Sequence, residues 1–477
     1  MKKHKAQLSL TVVLVIILGF LLAFKKQDEK PVKPNIIFLL ADDLRYNSLG
    51  CMGNTIVQTP NLDQMAYNGT LFTNAYVTTP ICAISRASIF SGQYANKHGI
   101  NDFIKDFDTT ARANNYPNVL RNNGYYTGFI GKYGVSLKQQ PTEFDYWKGF
   151  HSQGKYFYED KNGKQIHNTD LLANQALEFL AIRDKSKPFC LSVSFKAPHV
   201  EDGNNTHNGY LYSPAYENYY KDITIPYPSN SEDKYYQAFP DVFKNRPADG
   251  ATNEARVRWG LRFSTPEKYQ ESVKSYYRLV TGMDDAIKRI VDQLKKKGLE
   301  KNTVIIFSSD NGYSLGDHGL EGKWFGHDVS LRSVIIVYDG RKPQNKHTNR
   351  DMVLNVDIAP TILDYADIKA PETMQGKSFK PLVEGEKLDW RKDFYYNHLL
   401  DTRNSKVYLP MSEGVVTATY KYNRYFHGNN PDDFFYEELF NPKTDPLEIH
   451  NLANDAEKAK IKTELIARMK TLRKSSK

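Results

Sequence analysis

Two short runs, far apart in the chain, restrict its fold more than any other feature. Residues 35–40 (NIIFLL) and 303–307 (TVIIF) are apolar almost throughout and do not alternate. A strand with one wet face alternates, whereas a strand covered on both faces does not. Both runs therefore predict central strands of a buried, mostly parallel sheet flanked by helices. Each ends in a hydrophilic cluster, Ala41-Asp42-Asp43 after the first and Ser308-Ser309-Asp310-Asn311-Gly312 after the second. Open α/β sheets keep their ligands beyond the carboxyl ends of the strands. Adjacent carboxylates there repel and lose hydration, so a cation is the natural remedy. The oxygen donors of Asp42, Asp43, Asp310 and Asn311 would form one site, selecting Ca²⁺, or less readily Mg²⁺, over zinc.

Between these runs, helices and strands alternate. A helix over 116–123 is capped by Gly124, and a strand over 125–130 leads into Gly131-Lys132-Tyr133-Gly134. A strand over 188–195 (PFCLSVSF) is followed by Lys196-Ala197-Pro198-His199. Apolar residues at Val273, Tyr277, Val280, Met283, Ile287, Ile290, Val291 and Leu294 keep helical spacing until Gly298 stops the run. A further buried strand is expected over 334–338 and a helix over 359–365. Residues 200–264 are rich in Tyr, Asn, Pro and Asp without periodicity, which predicts an irregular segment shaping a substrate cleft. Near Glu384 the composition shifts to short aromatic-rich strands (394–397, 414–419 and 420–426) and a charged helix over 455–475. This reads as a small antiparallel sheet with a covering helix. The expected organisation is an export segment at 1–30, a catalytic domain at 33–383 and a C-terminal subdomain at 384–477.

Cys82, one of three cysteines, lies in YVTTPICAISRASIFSGQYANKHGI, residues 76–100. Pro80 biases Thr79 toward extended backbone, so a helix should open near Cys82 and run to about Phe90. Arg86, one turn on, shares its face. A cysteine at a helix N-terminus with a guanidinium beside its sulfur is expected to be chemically poised. CAISR followed by SGQY, set between the two acidic strand ends, resembles the signature of the type I sulfatases. Family members have an alkaline-phosphatase-like fold, and many carry a smaller C-terminal antiparallel-sheet domain.

The resemblance implies that Cys82 becomes formylglycine through a formylglycine-generating or anaerobic maturation enzyme. It implies Ca²⁺ held by Asp42, Asp43, Asp310 and Asn311 against the modified Cys82. It gives Arg86, Lys132 and Lys323 (in GKW) the task of placing positive charge on the sulfate. His199 would protonate the departing alcohol, and His318 would face the leaving group. The chain departs from the family at two points. Ile84 stands where proline or alanine is usual, and Gly134 where a histidine is usual, with His98 a candidate for the vacant proton-transfer role. The expected activity is hydrolysis of a sulfate ester on a sulfated carbohydrate, glycosaminoglycan or algal. The alternatives are a phosphoric or phosphonic ester hydrolase of the same superfamily and a glycan-binding homologue whose Cys82 stays unmodified.

Composition narrows the partners and the compartment. The net charge of +9 comes without a dense Lys/Arg block or a nucleic-acid motif, so a polyanionic glycan fits better than nucleic acid. Lys2, Lys3 and Lys5 precede an apolar or neutral run over 8–24, with Lys25 and Lys26 behind it. This reads as a secretory signal or a signal anchor, placing the protein in the periplasm, outside the cell, or at the membrane facing outward. Three cysteines are too few for a disulfide framework.

Overall fold

The computed structural model describes residues 33–136, 141–160 and 162–477. The basic and apolar N-terminal run lies outside them. Among the described residues no helix is long and apolar enough to cross a membrane.

The large sheet is built from β1 (Asn35–Asp42), β2 (Thr70–Tyr76), β3 (Tyr126–Lys132), β4 (Tyr146–Phe150), β5 (Phe189–Pro198), β6 (Thr303–Ser309), β7 (Arg332–Asp339), β8 (His347–Asn349) and β9 (Val353–Leu354). Their order is β8-β2-β7-β6-β1-β5-β3-β4, with β9 also on β2. Of these strands only β7 opposes its neighbours. The lack of alternation in β1 has the expected cause. Ile37, Leu39 and Ala41 pack on one face with α1 (Pro60–Tyr67), α4 (Asn168–Ile182) and α6 (Pro266–Lys296). Ile36, Phe38 and Leu40 pack on the other with α2 (Cys82–Ser91), α3 (Tyr116–Asn122) and α7 (Ile358–Tyr365).

Register decides which side chains meet. Leu40 lies opposite both Ser194 on β5 and Ser308 on β6, and Gly131 on β3 is also opposite Ser194. The four central strands therefore end level, and Asp42-Asp43, Lys132, His199 and Asp310-Asn311 leave the sheet along one edge.

Two segments depart from expectation. Residues 200–264 are not irregular throughout: they hold Thr206–Gly209, Pro214–Tyr216, Asp233–Gln237, Asp241–Lys244 and α5 (Glu254–Arg262). Most of these elements are shorter than the span over which apolar periodicity registers, and in α5 the pattern is masked by arginines. The second is α6, which runs for 31 residues and starts before its apolar stripe, with Pro266 in its first turn and the Thr265 side chain accepting from Lys268 N.

The C-terminal sheet is an antiparallel meander of β10 (Asp393–His398), β11 (Met411–Thr417), β12 (Lys421–Phe426) and β13 (Phe434–Phe440). The strand expected over 414–419 instead ends at Thr417, whose hydroxyl closes the turn by accepting from Tyr420 N at 2.9 Å. On one face Tyr395, Val415, Tyr422 and Leu439 pack under Leu465 and Met469 of α8 (Ala459–Ser475). The other face meets the loops at the carboxyl edge of the large sheet, and residues 34–477 form one compact unit.

Candidate active site

Helix α2 presents Cys82 at its first position, with extended Ile81 before it and Gly92 closing it in the left-handed region. Its entry is pinned from two sides. Asn355 accepts from Thr78 N at 3.1 Å and donates to Ser85 Oγ at 2.9 Å, while Asn397 of β10 donates its backbone N–H to Thr78 O at 3.0 Å.

Across from the sulfur stand the strand-end carboxylates. Asp310 accepts from Asp43 N at 3.1 Å, and the Asn311 carboxamide donates to Asp43 Oδ1 at 2.7 Å, so both distant acidic termini share one site. Asp43 sits in the left-handed region at φ 61°, a conformation that Asp tolerates better than most residues and that is concentrated at functional sites. The cations are divided among the acids. Lys132 Nζ donates to Asp42 and, at 2.7 Å, to Gln153 Oε1. Lys323 Nζ donates to Asp43 and lies 2.9 Å from Cys82 Sγ. Arg86 reaches Asp310 at 2.8 Å, with further bonds to Lys132 O and Ser194 Oγ.

This corrects the expected pairing at the sulfur. The hydrogen-bonding cation there is Lys323, while the Arg86 guanidinium runs beneath the site and ties three strand ends together. It also corrects the expectation of a poised thiol: burial outweighs Lys132 and Lys323 and pushes Cys82 up to about 12. Cys82 is only 2% exposed.

Burial would raise Asp42, but Lys132, His199 and Arg86 together hold it well below the usual carboxylate range. Burial and then Asp42 push Asp310 up to about 7. Such splitting of neighbouring carboxyls is what burial and like-charge crowding produce. Two buried oxygens, Asp42 Oδ1 and Asn311 Oδ1, have no hydrogen-bond partner. Buried acceptors are rarely left so, and here they flank the same carboxylates. Ligand atoms of Asp42, Asp43, Cys82 and His199 all lie within 4.8 Å of one another. The donor set fits a hard divalent ion: mostly oxygen, three carboxylates, one carboxamide. Three carboxylates are already offset by three cations, so a divalent ion would leave positive charge over for an anionic ester.

His199 follows β5, its Nδ1 2.6 Å from Val200 O and its Nε2 3.6 Å from Asp43 Oδ2. Nδ1 therefore carries the hydrogen in the neutral ring, and Nε2 faces the site. Lys196, fully buried, donates to Gln153 O and Val200 O, both at 3.0 Å, and so links the loops that carry Gln153 and His199. Sequence reasoning assigned roles to neither Gln153 nor Lys196. Lys196 had a signal, since it stands within the same strand-end cluster as His199.

At Gly134 the backbone has φ +76°, and a Cβ there would come within 2.6 Å of Arg86 Cδ. The usual histidine is thus excluded by the path of Arg86. Nor does His98 replace it: Nε2 bonds Ser88 Oγ at 3.0 Å and Nδ1 accepts from Ile100 N at 3.1 Å, one and a half turns along α2 from Cys82. His318 stacks on His327 at 4.6 Å and leans on Phe239, and so braces the Lys323 loop.

Residues 34–368, which hold the paired acidic strand end, the buried cysteine and the second acidic strand end in this order, match the sulfatase family model. The chain belongs to the sulfatase family. It is therefore a sulfatase, with the alkaline-phosphatase-like fold. A second model, described as N-sulphoglucosamine sulphohydrolase, C-terminal, matches residues 316–475. An N-acetylglucosamine-6-O-sulfatase from Bacteroides thetaiotaomicron is 28% identical over 94% of this sulfatase and 88% of its own length. A solved structure described as a complex with its substrate, D-glucosamine-2-N,6-O-disulfate, is 28% identical with a TM-score of 0.77, covering 93% of this chain and 98% of that one. A phosphonate monoester hydrolase from Silicibacter pomeroyi, at 20% identity and TM-score 0.75, covering 93% and 96%, shares the fold alone.

Proposed function

We propose that this sulfatase removes sulfate from a sulfated carbohydrate of the glycosaminoglycan or algal kind, through formylglycine made from Cys82 and with Ca²⁺. The convergence of Arg86, Lys132 and Lys323 on buried carboxylates with orphaned oxygens beside Cys82 carries the reading. The amino-sugar relatives make a 6-O-sulfated glucosamine the first substrate to try. The basic and apolar N-terminus addresses the chain for export, where such glycans are met.

Asp42, Asp43, Asp310 and Asn311 would hold the ion, which when bound supplies positive charge to the sulfate oxygens. The modified Cys82 supplies a hydroxyl nucleophile in place of a thiol that burial keeps protonated. Lys323 and Lys132 orient the sulfate and offset charge gathering on its oxygens, the largest contribution in catalysis of this type. Arg86 holds Asp310 and the β3 and β5 ends in register. For His199 to act as the acid, Nε2 must first take up a proton, giving an imidazolium whose Nδ1–H stays on Val200 O; Nε2 would then pass that proton to the departing sugar oxygen and return to the neutral ring.

The test compares wild type with Cys82→Ala on defined sulfated saccharides and on matched aryl sulfate and aryl phosphate. Wild type is expected to release sulfate and to prefer the sulfate ester, with Cys82→Ala folded and inactive. Retained turnover in Cys82→Ala, or preference for the phosphate, would overturn the reading. The mass of the Cys82 peptide, lowered by exchange of thiol for aldehyde, separates an enzyme from an unmodified glycan binder.

A further inference from the structure

The loop carrying Lys323 has no regular structure of its own between Gly322 and Asp328, yet Lys323 is held to 6% exposure against Cys82. Several of the atoms that hold this loop belong to the C-terminal sheet and the segment that follows it. His327 Nε2 lies 3.3 Å from Glu438 Oε1 on β13, and Asn423 Nδ2 of β12 donates to Gly326 O at 3.3 Å. Asp328 N donates to Glu448 Oε2 at 2.8 Å, and Lys421 Nζ donates to Asp328 Oδ1 at 2.9 Å. Contact at Gly326 is so close that a Cβ would fall 2.0 Å from Tyr396 Oη and 2.6 Å from the Asn423 carboxamide.

Glu438 is the centre of this attachment. It is 1% exposed, and besides His327 it accepts from Tyr425 Oη at 2.9 Å and from Asn423 Nδ2 at 3.3 Å. Asn423 thus bridges Glu438 and the Gly326 carbonyl, so one carboxylate fixes the loop through both an imidazole and a carboxamide. From the far side, His318 stacks on His327 at an interplanar angle of 17°.

We propose that the C-terminal sheet positions the sulfate-binding lysine, with Glu438 the positioning residue that sets the Lys323 ammonium against Cys82. The proposal rests on the role given to Lys323 above. Glu438 is buried and its side chain bonds to His327, Asn423 and Tyr425, so it acts through the geometry of residues 323–328. Partners that orient reacting groups in this way cost on the order of 10–100-fold when lost.

A double-mutant cycle on the mature enzyme tests it, reading kcat/KM for a sulfate ester, inhibition by inorganic sulfate, and the melting temperature. Glu438→Gln is expected to lower kcat/KM by on the order of 10-fold and to weaken sulfate inhibition in parallel. In a Lys323→Met background the same change should add less than about 2-fold, because the group it positions is gone. Equal effects of Glu438→Gln with and without Lys323, or an unchanged rate in Glu438→Gln, would overturn the proposal. Unchanged kinetics in Lys323→Met would instead sink the role of Lys323 itself, and this proposal with it. Should Glu438→Gln not fold, His327→Gln, which leaves the bonds from Tyr425 and Asn423 to Glu438 in place, is read by the same cycle.

Discussion

Gly134 shows how one side chain can decide what a neighbouring position holds. With its backbone at φ +76° and Arg86 Cδ within 2.6 Å of any Cβ, Gly134→His is expected to lose about 1–3 kcal/mol of stability and to slow catalysis by displacing Arg86. Thermal melts and rates on the mature enzyme check both effects, and a faster, equally stable variant would refute the steric account. The presence of Arg86 in the site was legible from its spacing to Cys82. Its destination was not, because helical periodicity fixes where Cβ points, while the end of a long side chain goes where Asp310 and Ser194 accept it. Asp310 and Asn311 were legible for the opposite reason: short side chains at strand ends have little freedom to leave.

At the level of elements, strand register assembles the acids and a loop attachment completes the cations. Removal of the divalent ion with a chelator is expected to abolish activity and lower the melting temperature, with Ca²⁺ restoring both. At a free ion concentration of 100 Kd the stabilisation would be about 2.7 kcal/mol, measurable by denaturant melts. The His327–Glu438 contact predicts a second, pH-dependent contribution. Against burial, Glu438 holds His327 above its ordinary 6.5, and His327 holds Glu438 below its ordinary 4.5. Stability from the raised imidazole is complete below 6.5 and is lost as pH rises through its shifted value; stability from the depressed carboxyl is complete above 4.5 and is lost as pH falls. The cost of Glu438→Gln should therefore be greatest between those values, on the order of 1–3 kcal/mol, and shrink on either side. His318, Lys421, Glu448 and Tyr425 also face this pair and will shape the slopes. A cost independent of pH would show that no ion pair forms. Strand β13 escaped sequence reasoning for the same reason it matters, since buried Glu438 makes a core-facing strand look like a polar turn.

Across the whole molecule, the large sheet and the aromatic C-terminal region were both legible in the sequence, whereas their mutual dependence was not. Runs of apolar residues report burial, but not which loop a polar sheet face will grip. Asn397 holds the approach to Cys82, Asn423 and Glu438 hold the Lys323 loop, and Arg391 pairs with buried Asp357. A chain ended at residue 383 is therefore expected to be insoluble or inactive even with Ca²⁺ and a matured Cys82; a soluble, fully active fragment on gel filtration and assay would contradict this. Helix α2 is buried along its whole length, and Ile84 belongs to the same buried apolar cluster as Leu320, Trp324 and Phe325. Under the proposal that Cys82 is modified, its 2% exposure predicts that the modifying enzyme must reach the sulfur before the chain folds. A batch that folds with its thiol intact would then stay inert until it is unfolded and made afresh.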